Sequence, residues 1–384
     1  MLAEGLRQHG FSVVQCVEPA WGSTEDRVAA ARGGIANPGL AARLLRSYAR
    51  LVQRLSALQP PPDVLIAGYP GQLDALLLRS MRPRIPIILD AFIALDETLA
   101  DRGIGGARSR VRLVAGTIDR LAFRRADRVI VDTAVHARRF ASEYGLSMDK
   151  VVLAPVGAFD PGLEHVSSDG SAMPCSGEAP AGVDSSTVKT SEPLRVLYFG
   201  GFIPLHGVPV ILDAARHLGP AAGIHFELVG DGQDAESVGR RVAAEGLDHV
   251  SVRRAWMPES ELIAQYVASA DVCLGIFANR PKTLDVVPAK LYLALACARP
   301  VVTGDTPAVR EELLAGAPAD EPPVLVCAPG DGRALAEALI HLRDDAALRS
   351  GLARRGRRAY EQHFAPAQVV AALARTILEL SGPR

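Results

Sequence analysis

The segment from Asp271 to Asp305, DVCLGIFANRPKTLDVVPAKLYLALACARPVVTGD, constrains the fold more than any other part of the chain. An apolar strand, a polar loop, a short apolar helix and a second apolar strand follow one another without slack, which is a βαβ unit. DVCLGIF and PVVTGD have strand length, and KLYLALACA between them is bounded by Pro288 and Pro300. Pro288 is expected at the first helical position, where a missing N–H costs nothing. A helix that starts at the carboxyl end of a parallel strand aims free N–H groups and a positive dipole end at the crevice, which suits a phosphate. Asp285 and Lys290 flank that start.

A chain of 384 residues points to two domains rather than one. The formal charge of -1 leaves no basic domain for contacts to a phosphate backbone, so a nucleic-acid partner is not expected. Cysteines at 16, 175, 273, 297 and 327 show no paired metal spacing, and three of them lie in apolar strands or the apolar helix, as small core residues of a reducing compartment do. No apolar run approaches the ~18 to 20 residues that span a bilayer, and MLAEGLRQHG has no signal-peptide core. A cytoplasmic protein is expected.

Residues 166–193 are rich in Ser, Gly, Ala and Pro and carry no hydrophobic period, which reads as a flexible linker. Before it, apolar runs at 63–68, 85–90, 128–133 and 151–154 alternate with helical patterns. After it the alternation returns: RVLYFG, a helix at 208–218, IHFELVG, a helix at 233–245, VSVRRAW, a helix at 258–269, the βαβ unit and PVLVCAP. This is the α/β signature twice over. The expected organisation is an amino-terminal Rossmann-like domain at 1–165, the linker, a carboxyl-terminal Rossmann-like domain at 194–365, and a last segment, 366–384, whose amphipathic helix crosses back to the first domain.

RVLYFG runs into Gly200-Gly201-Phe-Ile-Pro-Leu-His206-Gly207 and then into a helix. Strand, glycine turn and helix start make a second anion cradle, to which His206 adds a donor or a charge. The G-x-G-x-x-G spacing of a dinucleotide site is absent, and glycines serving only a tight turn are an equal alternative. LVGDG, with Gly230 and Gly232, ends another strand at the same sheet edge, so three loops converge on one crevice.

YFGGFIPLHG, LVGDG, DVCLGIF and VVPAKLYLALACARPVVTGD together resemble the carboxyl half of the family four retaining glycosyltransferases, and GLRQHGFSV and ADRVIVDT resemble amino-domain elements more loosely. The resemblance implies the GT-B fold, two Rossmann-like domains facing a central cleft, and transfer of a hexosyl unit with retention from a nucleoside-diphosphate sugar. The acceptor would be a polysaccharide, glycolipid or natural product, as in cell-envelope polysaccharide assembly. It places the diphosphate on Gly200, Gly201 and Gly207 and on the helix start at Pro288 and Ala289. The base falls near Ala255, Trp256 and Met257, with Gly230 and Gly232 beside it. His206, Gly201, Gly207 and Lys290 would cradle the leaving group and Asp285 would orient the sugar. No metal or cofactor is implied, and no Asp-x-Asp pair of a metal-dependent transferase is present.

Three departures stand out. Where the family has two glutamates seven residues apart, this chain has Asp285 and Leu293, and leucine cannot hold ribose hydroxyls. The basic pair of the glycine loop is also missing, with Phe202 near one position and His206 at the other. The family's first strand and glycine turn have no counterpart either, so that strand is expected to be missing from the amino-domain sheet, as a start codon placed too far downstream would cause. Two alternatives to a transferase follow: a catalytically weak homologue serving as a partner subunit, and a sugar-nucleotide epimerase of the same architecture.

In the first domain Asp90, Asp96, Thr133 and His136 follow strands and are candidates on the acceptor side. For Asp90 a helix N-cap is the rival, and for His136 a place on a helix face. Lys290 has a rival reading as a solvated surface residue, and Asp285 one as helix-start charge complementarity. Finally, SRVRLVAGTIDRLAFRRADR within 102–128 offers either a basic amphipathic face for anionic lipid at the inner membrane or a scaffold helix whose Leu113, Ile118, Leu121 and Phe123 serve the core.

Overall fold

The computed structural model describes residues 1–18, 38–101, 109–164 and 192–382. The linker at 166–193 therefore lies outside the described residues except for its last two.

Two compact units emerge. One contains a four-stranded parallel sheet, β1 (Leu65–Ala67), β2 (Ile87–Asp90), β3 (Arg128–Val131) and β4 (Val151–Leu153), in the order β1-β2-β3-β4. Its register pairs Leu89 with Ala67 on one side and with Val129 on the other. Ile87, Ile88 and Leu89 are fully buried, because helices cover both faces of a parallel sheet and leave no polar side. The helices Gln72–Met81 and Arg110–Arg125 belong to this unit, and so does the last helix, Ala371–Ser381, which touches β4.

The other unit holds a six-stranded parallel sheet: β5 (Leu194–Phe199), β6 (Ile224–Val229), β7 (Val250–Arg253), β8 (Val272–Leu274), β9 (Val301–Gly304) and β10 (Leu325–Cys327). Its order is β10-β9-β8-β5-β6-β7. β5 lies between β6 and β8, so the chain winds one way from β5 to β7 and the other way from β8 to β10. The crevice at the carboxyl ends of β5 and β8 is the topological switch point where doubly wound sheets bind ligands. One face buries Val196, Tyr198, Ile211, Leu212 and Phe226, and the other buries Leu197, Phe199, Leu291 and Leu295.

The helix of the βαβ segment runs Ala289–Ala296. Pro288 is its N-cap and not its first helical residue: its ψ of 149° is extended, so helical geometry begins one position later. A proline there has no side chain to cap with and leaves the first N–H groups of the helix open. Residues 132–136, directly after β3 in the chain, group with the carboxyl-terminal unit.

Candidate functional site

The turn after β5 is held by backbone bonds to its neighbours. Gly200 N donates to Val229 O at 2.9 Å, Phe202 N to Asp231 O at 2.9 Å, and Phe277 N to His206 O at 3.0 Å. Gly207 closes the turn at φ 70° as the N-cap of the helix Val208–Leu218, and a Cβ there would meet Ala278 N at 2.4 Å. Gly230 is pressed flat on Gly200, where a Cβ would stand 1.9 Å from the Gly200 carbonyl oxygen. Glycine is thus required at 230 by backbone packing against the turn, whatever binds nearby. Gly232 lies in the same loop, its N–H on the Asp231 carboxylate at 2.8 Å.

Lys290 enters this turn from the helix start, and it is only 7 % exposed. Its Nζ sits 3.8 Å from the centroid of the Tyr198 ring, and a Cβ on Gly200 would be 3.2 Å from Lys290 Cε and Nζ. Among the described residues no carboxylate pairs with it. Burial pushes its amine well below the ordinary lysine range. The solvated surface reading of Lys290 does not hold: the helix is buried on every face from Lys290 to Ala296.

His206 lies behind the lysine. Its Nδ1 stands 2.6 Å from Gly201 O, and a carbonyl oxygen brings no proton of its own, so Nδ1 donates and Nε2 keeps the lone pair. Tyr198 Oη donates to the same carbonyl at 2.7 Å. Burial, reinforced by Lys290, pulls the imidazole down to about 3, so His206 is neutral at physiological pH. It contributes shape and polarity to the turn and no charge.

Asp285 ends the short helix Pro281–Asp285 and is buried. Its main-chain carbonyl accepts the Thr133 hydroxyl at 2.5 Å, and the same Thr133 oxygen accepts His136 N at 3.0 Å. His136 is buried with its Nδ1 2.6 Å from Asp132 Oδ1. Ala134 N donates to Glu312 Oε1 at 3.0 Å, and burial, with Asp132 and Glu311 adding, raises the Glu312 carboxyl above its usual range. Thr133 and His136 therefore belong to a buried polar cluster that holds the Asp285 carbonyl. Asp132, Glu312 and Tyr198 were not singled out in the sequence: Tyr198 lies within β5 and Asp132 directly after β3, inside stretches quoted for their pattern, while Glu312 lies on the helical segment Arg310–Leu314, and only the fold brings each to its partners.

The remaining candidates fall elsewhere. Trp256 is 72 % exposed on the loop after β7, and Met257 packs on the apolar cluster beneath it. Leu293 is 5 % exposed inside that same cluster. In the other unit Asp90 ends β2 and accepts Phe92 N at 3.3 Å. Asp96 takes a bidentate pair from Arg112 at 2.8 and 2.9 Å, a helix-to-helix link that occupies its carboxylate. Among the described residues no group of three His, Cys, Asp or Glu side chains is arranged to hold a metal ion, and no helix is long and apolar enough to cross a membrane.

A family model described as glycosyl transferases group 1 matches residues 193–345, and one described as glycosyl transferase 4-like domain matches residues 1–157. No curated protein matches the sequence. Among solved structures, HepE of Anabaena in complex with UDP-glucose is similar with a TM-score of 0.61 at 18% identity, over 86% of this chain and 81% of that one. Sucrose-phosphate synthase of Thermosynechococcus elongatus gives 0.61 at 16% identity over 90% and 80%. The UDP-forming trehalose-phosphate synthase of Burkholderia vietnamiensis gives 0.62 at 15% identity over 90% and 78%. With two parallel-sheet units and these neighbours, the fold is GT-B.

Proposed function

Because the chain belongs to the group 1 glycosyltransferase family, with its two domain models together spanning most of the sequence, we propose that it transfers a hexosyl group, with retention, from a nucleoside-diphosphate sugar to an acceptor hydroxyl. The observation that carries this reading is Lys290: a buried amine with no carboxylate partner among the described residues, at a helix start and against Gly200, at the switch point of the sheet. A buried cation without a counter-ion costs stability, and a diphosphate supplies the missing charge.

In this reading the diphosphate lies over Gly200, Gly201 and Gly207 and before the N–H groups of Ala289 and Lys290. Asp285 orients the sugar, and the base packs near Trp256, Met257 and the 230–232 loop. The acceptor oxygen bonds to the anomeric carbon as the bond to the diphosphate oxygen breaks, and the hydroxyl proton passes to the departing phosphate. Preorganised donors that meet the growing charge on that phosphate lower the barrier. No metal enters the scheme. The acceptor is a polysaccharide, glycolipid or natural product, met in the cytoplasm, and UDP-glucose, which the Anabaena neighbour holds, is the first donor to test.

One observation favours a second reading. Leu293 fills with apolar packing the place where the family resemblance implies a ribose-binding carboxylate, as a partner subunit with weak catalysis would allow. Calorimetric titration with UDP-, GDP-, ADP- and TDP-sugars, followed by acceptor assays, separates the two. Donor binding with turnover supports the transferase; donor binding without transfer to any sugar or lipid acceptor, or no donor binding at all, overturns it in favour of the partner subunit.

A further inference from the structure

The helix Arg110–Arg125 does not divide its residues as a scaffold helix would. Its inward face buries Ala115, Asp119, Ala122 and Phe123. The outward face, on the line through positions 110, 114, 117, 121 and 124, leaves Leu113 60 % and Leu121 44 % exposed, with Val111 and Val114 also exposed. The scaffold expectation thus holds for Phe123 and fails for Leu113 and Leu121. Arg110, Arg120, Arg124 and Arg125 are exposed among these apolar residues, and the helix's one acidic residue, Asp119, is buried on the far side. None of these four arginines forms an ion pair among the described residues.

At the carboxyl end of the helix the surface sinks into an open basin of about 520 Å³. Arg124, Arg125, Arg128 and Lys150 line it, while Arg79 and Asp127 neutralise each other in an ion pair. Only Asp149 is left against four cations. Lys150 Nζ is anchored on the Arg124 carbonyl at 2.9 Å, which ties the basin to the helix. Burial lowers the Lys150 amine, and Arg79 and Arg128 lower it further against the pull of Asp127. A chain whose formal charge is -1 has gathered positive charge here, next to exposed leucines.

We propose that this face of the amino-terminal domain docks on the anionic surface of a phospholipid bilayer, with a headgroup phosphate in the basin and Leu113, Val114 and Leu121 at the acyl boundary. Charge complementarity selects this occupant: a helix that sets apolar residues among unpaired arginines, with no exposed carboxylate, suits an interface that is apolar below and anionic above. The docking is separate from the glycosyl-transfer reading and is read without turnover.

The test is sedimentation of the full chain with vesicles of phosphatidylcholine alone and with phosphatidylglycerol added to about a third. Binding is expected only to the anionic vesicles and is lost in high salt. Each neutralised arginine should weaken it about fivefold, so Arg124→Gln with Arg128→Gln costs about 25-fold. Leu113→Ser with Leu121→Ser costs about tenfold. Leu113, Leu121 and Arg124 are exposed and Arg128 is half-buried, and unchanged melting shows that the variants fold. No binding to anionic vesicles at low salt overturns the proposal. So does binding that ignores the leucine variant and is displaced by inorganic phosphate, which assigns the basin to a soluble anion. Self-association that the leucine variant abolishes, without vesicle binding, assigns the face to a second copy and overturns it too.

Discussion

Replacing Lys290 with methionine tests the centre of the site, since methionine keeps much of the lysine stem's volume and removes the amine. The amine is buried against the Tyr198 ring with no carboxylate beside it among the described residues, and burial depresses its proton affinity. The folded-state pKa lies below the unfolded value of about 10.4, so between the two the unfolded chain binds more protons and stability rises with pH. The wild type should therefore gain stability relative to Lys290→Met as pH rises through that window, by at most about 1.4 kcal/mol per pH unit. Removing the amine forfeits a ring contact worth about 0.5 to 2 kcal/mol and relieves a desolvated charge, so melting of the variant should hold level or rise near neutral pH. Donor binding moves the other way. Loss of a hydrogen bond to a charged partner costs about 1.5 to 3 kcal/mol, which is about 10- to 150-fold in affinity. Calorimetry with UDP-glucose in two buffers of different ionisation enthalpy should show proton uptake of up to one by the wild type and none by the variant. Equal donor affinity for the two proteins would refute the argument. So would a wild type that gains no stability over Lys290→Met as pH rises toward the unfolded value of about 10.4.

Three further outcomes follow from the same geometry. Gly230→Ala drives a Cβ to 1.9 Å from the Gly200 carbonyl at a φ of 150°, so the 200–207 turn must shift; the melting temperature and donor affinity should both fall, and an alanine variant that binds donor normally would contradict the packing account. His206 titrates near 3 in the folded state against about 6.5 unfolded, so the unfolded chain binds more protons in acid and stability drops as pH falls through that window. Urea midpoints at about pH 6.5 and about pH 4.5 should show His206→Gln losing about 2 kcal/mol less than wild type between them. Leu293→Glu would bury a carboxylate in an apolar cluster, and thermal melting should show destabilisation with no gain in turnover; a stable variant with higher transfer activity would instead restore the reading of an eroded ribose subsite.

The βαβ unit around Pro288 was legible because its apolar runs have lengths that only a buried strand or helix can use, and β8, the Ala289–Ala296 helix and β9 occupy those positions. The glycines at 200, 201 and 207 were legible as a turn, yet their spacing could not tell that Gly230 is shaped by Gly200 rather than by a ligand. Lys290 illustrates the limit most clearly. The helix is buried on every face from Lys290 to Ala296, so the lysine goes inside with its neighbours whatever the helix phase, and a charged residue at a helix start gives no local sign of that. Asp96 read as a site residue because it follows a strand, and only the structure shows Arg112 holding both of its oxygens. Thr133 and His136 were found as residues after a strand, but their partners lie far away in the chain: the Asp285 carbonyl is 152 positions from Thr133, a pairing that no local pattern encodes.

The charge arrangement of the carboxyl-terminal unit explains how the site can do without the basic pair that its glycine turn lacks. Guanidinium groups stay protonated in any protein, so a pair of arginines buried in an empty site would carry their charge whether or not an anion was present. A lysine can release its proton when the site is empty and recover it when a diphosphate arrives. Lys290 is placed for that behaviour: desolvated, cushioned on Tyr198, and beside a histidine that burial keeps neutral. The desolvated lysine amine holds a proton less tightly than a free lysine does, and a diphosphate beside it would restore that hold.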